Sequence, residues 1–321
     1  MSLPAVSSSL LEVRNLAVHF GTVAALEDVS FELGSGETLG LVGESGSGKS
    51  TLARAILRLI PATRGSITWR GVELLTCDAA SLRRQRRDLQ IVFQDPLASL
   101  DPRMPVGETL AEPLEIFEPE LGAPERLGRI KHMLERVGLG AAAIDRYPHE
   151  LSGGQCQRIA IARAMMLRPR LLICDEPVSS LDVSIQGQIV NLLLDLQHEF
   201  GTAMLFISHN LAIVRHLAHR VMVIYLGRLV EVASCERLFS APRHPYTRAL
   251  LAALPDPTGR ARGAGLTRGE LPRGAAVPSG CAFRDRCPYA QELCARTIPR
   301  LEPVGAAQAI ACHRRGELVY S

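Results

Sequence analysis

Apolar and polar positions alternate through Leu11-Glu-Val-Arg-Asn-Leu-Ala-Val-His-Phe20 and again through Val29-Ser-Phe31, a period of two that predicts an antiparallel strand pair over 11–31. Glu37-Thr-Leu-Gly-Leu-Val42 is a short apolar run of strand character, and Thr51 to Ile60 carries its apolar residues at helical spacing. Short strands are expected between Gly65 and Val92, with Gln90-Ile-Val-Phe-Gln94 a buried-type strand broken by Asp95-Pro96. Residues 107–170 are mostly helical by pattern, their entry punctuated by Pro105, Pro113, Pro119 and Pro124. A strongly periodic helix, Arg158 to Leu167, stops at Arg168-Pro169. Leu171-Leu-Ile-Cys-Asp-Glu176 then reads as a buried parallel-type strand ended by Pro177. A helix over Ile185–Phe200 and a buried strand over Ala203–Ser208 follow, and Val221–Leu226, Gly227-Arg228 and Leu229–Val232 read as a hairpin. Strand and helix in alternation predict an α/β protein built on a parallel sheet.

Between the strand ending at Val42 and the helix starting at Thr51 lies Gly43-Glu-Ser-Gly-Ser-Gly-Lys-Ser50. Strand, glycine loop and helix together turn the G-x-x-x-x-G-K-[ST] pattern into a phosphate site. Gly43, Gly46 and Gly48, with Ser45 and Ser47 between them, let successive backbone N–H groups face an anion at a helix N-terminus. Lys49 supplies a point charge for the β- and γ-phosphates, Ser50 a hydroxyl for Mg²⁺, and Thr51 closes the loop.

Composition sharpens this picture. The chain has 321 residues, and a prior of about 150 residues per domain suggests two domains. A net charge of +3 gives no argument for a nucleic-acid-coating protein, and the basic run Arg83-Arg-Gln-Arg-Arg87 is read as a solvated helix face. Lys49 and Lys131 are the only two lysines in an arginine-biased chain, so a lysine at the glycine loop is telling. No run of about 18 uncharged apolar residues predicts a transmembrane helix. Residues 1–9 lack a basic, then apolar, export signal, so a reducing cytoplasm and free or metal-bound cysteines are expected.

Further candidates sit on the other elements. Phe20 ends its strand before Gly21 and is either an adenine-stacking aromatic or an ordinary core residue. Ser152 and the Gly153-Gly154 pair open the periodic helix in Leu151-Ser-Gly-Gly-Gln155, either as an N-cap or as a second anion site. Asp175, at a strand tip, can hold Mg²⁺ or its water, and Glu176 can polarise an attacking water. Ser179-Ser-Leu-Asp182 opens the next helix, and His209 ends the following strand.

In order and approximate spacing, Gly43–Thr51, Gln94, Leu151–Gln155, Leu171–Glu176, Ser179–Asp182 and His209 resemble an ABC-type ATPase subunit over residues 11 to about 240, the Leu-Ser-Gly-Gly-Gln stretch being the specific marker. That resemblance implies a P-loop ATPase domain over 9–240: a RecA-like core, an antiparallel β subdomain and a helical subdomain at about 95–170. It implies ATP and Mg²⁺ as ligands, with Phe20 on the adenine and Ser50, Gln94 and Asp175 around the metal. Glu176 would be the residue that activates water and His209 the γ-phosphate switch. Ser152, Gly153, Gly154 and Gln155, with Asp182 nearby, would close on ATP held by a partner subunit. Cys156 departs from the pattern, standing where related sequences often carry glutamine.

Beyond residue 240 proline and glycine rise, and Cys281, Cys287, Cys294 and Cys312 appear with gaps of five, six and seventeen residues. Four thiolates suit zinc or iron–sulfur alike. The absence of short C-x₂-C pairs leans towards iron–sulfur. The remaining cysteines, Cys77, Cys156, Cys174 and Cys235, read as core or surface residues. His244-Pro-Tyr-Thr-Arg-Ala-Leu-Leu251 and Cys281…Arg286-Cys-Pro-Tyr289…Cys294…Cys312-His313 resemble the C-terminal region of dipeptide and oligopeptide importer ATPases. Gln94 to Arg103 is similar to the F-type component of that pair. The resemblance implies an irregular cysteine-rich extension over 241–321 holding a [4Fe–4S] cluster on the four cysteines, with a structural role. It also implies a heterodimer with a sister ATPase, two permeases and a substrate-binding protein, at the cytoplasmic face of the inner membrane. Dipeptides, oligopeptides, nickel complexes and glutathione all remain open as cargo. A nucleic-acid-maintenance ABC ATPase would carry a long coiled coil, and no sustained heptad tract is present.

Overall fold

The structure, a computed structural model, describes residues 9–253, 279–305 and 307–315. The Gly/Arg/Pro-rich stretch 255–278, expected to be a loop, lies outside the described residues. The strands are β1 (Ser9–Phe20), β2 (Val23–Gly34), β3 (Thr38–Val42), β4 (Arg64–Trp69), β5 (Val72–Glu73) and β6 (Leu89–Val92), then β7 (Leu171–Asp175), β8 (Ala203–Ser208), β9 (Arg220–Tyr225), β10 (Arg228–Ser234), β11 (Glu302–Pro303) and β12 (Gln308–Ile310). They belong to two compact units. One gathers the residues up to Cys77 with those from Ile207 onward, and the other is Asp78–Phe206.

In the first unit, the alternation read from the sequence becomes β1 and β2, paired antiparallel in a sheet of order β2-β1-β4-β5. The inward positions Leu11, Val13, Leu16, Leu26, Val29 and Leu33 are fully buried, as a period of two on a one-sided sheet requires. Register shifts after Val13 coincide with left-handed backbone at Asn15 and Asp28, whose side chains hydrogen-bond at 2.7 Å. A second sheet runs β11-β12-β10-β9-β3 in this unit. Here β3 lies parallel to β9, from Leu39 opposite Arg220 to Val42 opposite Val223. All five residues of β3 are buried, and this buried strand aims the glycine loop that follows it.

The hairpin β9–β10 turns through Leu226 and Gly227, both at positive φ (44° and 76°), the backbone a two-residue turn needs to match strand twist. The C-terminal extension then adds β12 antiparallel to β10, with Glu231 opposite Ile310, and β11 beside β12, so the tail covers what would be an open sheet edge.

Glu231 fastens that tail. Its side chain is fully buried, and its carboxylate accepts the N–H groups of Arg243 and His244 (both 2.9 Å) and the Gln308 Nε2 amide (2.6 Å). Three donors on one buried carboxylate make a charge-assisted knot at the start of the extension. His244 beside it is buried, and its Nδ1 accepts the Tyr246 N–H at 3.1 Å. Burial holds this imidazole neutral, pushing its pKa from 6.5 down to about 3.

In the second unit, β6 lies parallel to β7, Leu89 opposite Leu171 through Val92 opposite Cys174, in the order β8-β7-β6. Every residue of β7 and β8 is buried, the uninterrupted apolar run of a parallel sheet. The strand expected over 90–94 is shorter, and Gln90 and Ile91 are only half-buried. Helices Val106–Phe117, Ala123–Arg136, Gly153–Met165 and Val183–Phe200 bear out the helical patterns. The last ends at Gly201, at φ 65°. No helix among the described residues is long and apolar enough to cross a membrane.

Two outcomes follow from the buried groups of the extension. Glu231→Ala strands three buried donors and should cost about 3 kcal/mol in chemical denaturation; wild-type stability would remove the knot from its role. His244 binds its proton only when unfolded. Its presence therefore lowers stability as pH falls from about 6.5 towards 3. The His244→Gln chain should show a flatter stability profile across that window, measured by denaturation at successive pH values.

Candidate nucleotide site

The glycine loop forms at the end of β3 as expected, with the helix Lys49–Ile56 following it. Gly46 and Gly48 take left-handed backbone (φ 79° and 104°), which turns the chain back so that the amides before the helix point one way. A side chain at Gly43 would meet the Ile224 carbonyl at 2.3 Å, and one at Gly48 the Ala25 carbonyl at 2.6 Å, so the loop lies pressed on its own scaffold. Lys49 is buried, and its Nζ donates to the carbonyls of Gly43 and Glu44, both at 2.9 Å. The Ser47 hydroxyl is buried with no hydrogen-bond partner among the described residues. Ser45 and Gly46 are exposed, while Ser50 and Thr51 are half-buried. A rigid, amide-lined turn with a buried cation suits a polyphosphate.

In the same unit Phe20 ends β1 and is 52% exposed. That decides against the core alternative for Phe20. His209, also exposed, stands before Asn210, whose side chain caps the helix Leu211–Leu217 through Ala212 and Ile213.

Sequence reasoning missed a set of residues that meet at this loop. The Glu44 N–H donates to the Tyr246 hydroxyl at 2.9 Å, and the Glu44 carboxylate accepts both Arg286 Nη groups, at 2.9 and 3.0 Å. The bidentate bond to Glu44 holds the Arg286 guanidinium above its ordinary pKa, against the opposing effect of burial. Tyr225, Tyr246 and Phe283 pack edge to ring around it, with centroids 4.6 to 5.4 Å apart. The signal lay in the resemblance stretches themselves, where Tyr246 and Arg286 stand, but nothing local ties them to Glu44.

The second unit carries the other candidates. Leu151-Ser-Gly-Gly-Gln155 opens the helix Gly153–Met165 through a capping box. Ser152 Oγ accepts the Gln155 N–H (3.3 Å), and Gln155 Oε1 accepts the Ser152 N–H (2.9 Å). A Cβ at Gly154 would meet Ile185 at 2.9 Å and one at Gly153 would meet Leu181 at 3.8 Å. The serine–glycine turn therefore packs on the segment around Asp182. Ser152 and Gly153 are nevertheless exposed. Asp182 begins the helix Val183–Phe200 without a side-chain cap bond. Cys156 faces inward, its thiol 3.4 Å from the Pro148 carbonyl, and burial pushes its pKa up. The departure from glutamine is thus a buried thiol behind the turn.

Asp175 is buried at the tip of β7, and Glu176 after it has φ 48°. A glutamate in left-handed backbone is strained by roughly 1–3 kcal/mol and persists only where its surroundings fix it. Here the Ser179 N–H (3.2 Å) and Oγ (3.1 Å) hold the Glu176 carbonyl. Gln94 is exposed after β6; Phe93 before it lines a groove of about 260 Å³ that also takes in Gln90, Leu100, Glu112, Phe117 and Arg163.

Cys281, Cys287, Cys294 and Cys312 are all free thiols. Cys281 donates its N–H to the Cys294 carbonyl at 2.7 Å. Burial pushes the Cys281 thiol up to about 11, and the other three thiols push it further in the same direction. They are near enough to feel one another's charge. Even so, no group of three or more His, Cys, Asp or Glu among the described residues is drawn into a metal-holding arrangement. The cluster expected on these cysteines is therefore not a preformed cage.

The ABC transporter family matches residues 26–179, and the oligopeptide/dipeptide transporter C-terminal region matches residues 230–294. The oligopeptide transport ATP-binding protein OppF of Salmonella typhimurium is 51% identical over 309 residues, covering 91% of this chain and 92% of that protein. Among solved structures, cbiO1 of Clostridium perfringens, part of the ABC transporter complex cbiONQ, superposes with a TM-score of 0.67 at 27% identity, covering 73% of this chain and 92% of cbiO1. The ATP-binding cassette MJ0796, a dimer in a post-hydrolysis state with ADP and Pi, gives a TM-score of 0.64 at 28% identity, covering 70% and 98%. A glycine loop on β3, a capped Leu-Ser-Gly-Gly-Gln turn and a carboxylate pair ending β7, with relatives of this identity over nearly the whole chain, place it: the protein is an ATPase belonging to the ABC transporter family, in its oligopeptide and dipeptide branch.

Proposed function

We propose that this chain is the F-type ATPase subunit of a peptide importer, driving uptake of dipeptides or oligopeptides by hydrolysing ATP at an interface shared with a sister ATPase. The observation that carries this is the glycine loop: left-handed Gly46 and Gly48, a buried Lys49 and an unpartnered Ser47 hydroxyl, in a chain 51% identical to an oligopeptide transport ATP-binding protein.

The work divides by charge. Lys49 and the loop amides neutralise the phosphates, and Phe20 offers its exposed ring to the adenine. Ser50, Gln94 and Asp175 supply the hard oxygen donors that Mg²⁺ takes, and the ion, when bound, neutralises charge on the β- and γ-phosphates. Glu176 is held in a strained turn, which fixes its carboxylate for polarising the attacking water. His209 reads the γ-phosphate. Ser152, Gly153, Gly154 and Gln155 serve the sister subunit's nucleotide, with Asp182 behind them. Phosphoryl transfer needs placement and charge more than covalent help, so a lost γ-phosphate contact is enough to favour opening.

The assignment extends to the whole chain: an ATPase domain over 9–240, with a helical subdomain at about 95–170, and an extension over 241–321. The polar region near Gln94 would receive a segment of one of two permeases at the cytoplasmic face of the inner membrane, and a separate binding protein would deliver peptide. The four thiols Cys281, Cys287, Cys294 and Cys312 form a soft donor set suited to a [4Fe–4S] cluster, with zinc as the alternative. Mutual repulsion among thiolates is what a bound cation would relieve.

Two measurements test this. Glu176→Gln keeps ATP binding and lowers hydrolysis by about two orders of magnitude or more; turnover near the wild-type rate would remove Glu176 from its role. Anaerobic purification should yield brown protein with roughly four irons and four sulfides per chain; stoichiometric zinc without iron would reverse the cofactor assignment.

A further inference from the structure

The glycine loop is gripped by the tail. Its first turn, Gly43-Glu44, is fixed from three directions. The Glu44 N–H reaches the Tyr246 hydroxyl (2.9 Å), the Glu44 carboxylate lies on both Nη groups of Arg286 (2.9 and 3.0 Å), and Gly43 is pressed on the Ile224 carbonyl. Two of these three contacts come from the C-terminal extension, up to 242 residues away in sequence. The ion pair is largely dry, with side chains 13% and 24% exposed, so solvent screens it little. Arg286 is itself wedged between Tyr225, whose hydroxyl it meets at 3.4 Å, and Phe283, which is only 2% exposed.

A loop that presents amides to a polyphosphate binds best when its backbone is already ordered. Glu44 sits between the β3 end of the loop and Lys49, whose Nζ rests on the Glu44 carbonyl. The turn is thus held through its N–H, its carbonyl and its side chain at once. Without the tail's two contacts, the turn would be left to the Ser47 N–H on the Glu44 carbonyl (3.2 Å), to Lys49 and to the packing at Gly43, and Lys49 must also serve the nucleotide.

We infer that Arg286 and Tyr246 are positioning residues for ATP, making the C-terminal extension part of the support of the phosphate loop. The inference rests on the ATP-site reading given above. Arg286 adjoins Cys287, so the cysteine-bearing part of the extension reaches the loop through this side chain, beside the separate contact from Tyr246.

The test is ATP affinity measured on the purified full chain with Mg²⁺ and a fluorescent ATP analogue, together with KM and kcat in the assembled transporter. Arg286→Gln and Tyr246→Phe should each weaken ATP binding about tenfold and raise KM alike, with kcat changed by less than about threefold, since the groups that act in the transition state are untouched. Arg286→Lys should recover part of the loss, being charged but not bidentate. Combining Glu44→Gln with Arg286→Gln should be no worse than Arg286→Gln alone, because neither charge is then left buried and unpaired. Tyr246→Phe keeps the buried ring and removes only the hydroxyl, so it reports even if the arginine variants fail to fold. Unchanged ATP affinity in a folded Tyr246→Phe chain, or losses that add in the double variant, would overturn the inference. Lys49→Ala is measured alongside: if that chain still binds ATP normally, the ATP-site reading has failed, independently of the role of Arg286.

Discussion

A polyphosphate concentrates negative charge, and only fixed donors at short range hold it without large reorganisation. That constraint falls on the nine residues Gly43–Thr51. They follow a strand with no exposed residue and run into a helix whose first residue is the buried Lys49. Backbone conformations open to glycine at Gly46 and Gly48, close packing at Gly43 and a lysine folded on its own loop all serve to order those donors before the ligand arrives.

The same economy of placement recurs in the second unit. Glu176 is held in a left-handed turn between the buried Asp175 and Pro177, where an ordinary strand end would have allowed a relaxed one. The Leu-Ser-Gly-Gly-Gln turn satisfies its own helix terminus by a capping box yet leaves Ser152 and Gly153 exposed. Cys156 shows how a departure from the pattern is absorbed: its thiol points away from the turn into a buried site.

Much of this was legible along the chain because it is local. Period-two alternation set β1 and β2, the glycine loop needed only its flanking strand and helix, and Gly227-Arg228 marked a hairpin whose turn lies one residue earlier, at Leu226-Gly227. Phe20 was ambiguous in sequence, since a strand-end aromatic reads alike whether buried or not, and its exposure removes the core alternative. What stayed hidden is non-local. Glu44 and Arg286 lie 242 residues apart, and Glu231, an ordinary-looking acid in a hairpin, proves to be the buried acceptor that fastens the tail. Cysteine spacing alone could not tell a preformed cage from four thiols that merely lie near one another.

The central claim is that this chain's own loop takes Mg²⁺-bound ATP before any partner closes on it. Isothermal titration of the purified full chain with ATP in the presence of Mg²⁺ tests it most directly. A single site with a dissociation constant in or below the millimolar range is the expected result. Absence of any saturable binding at millimolar ATP, in a chain shown to be folded, would contradict the account.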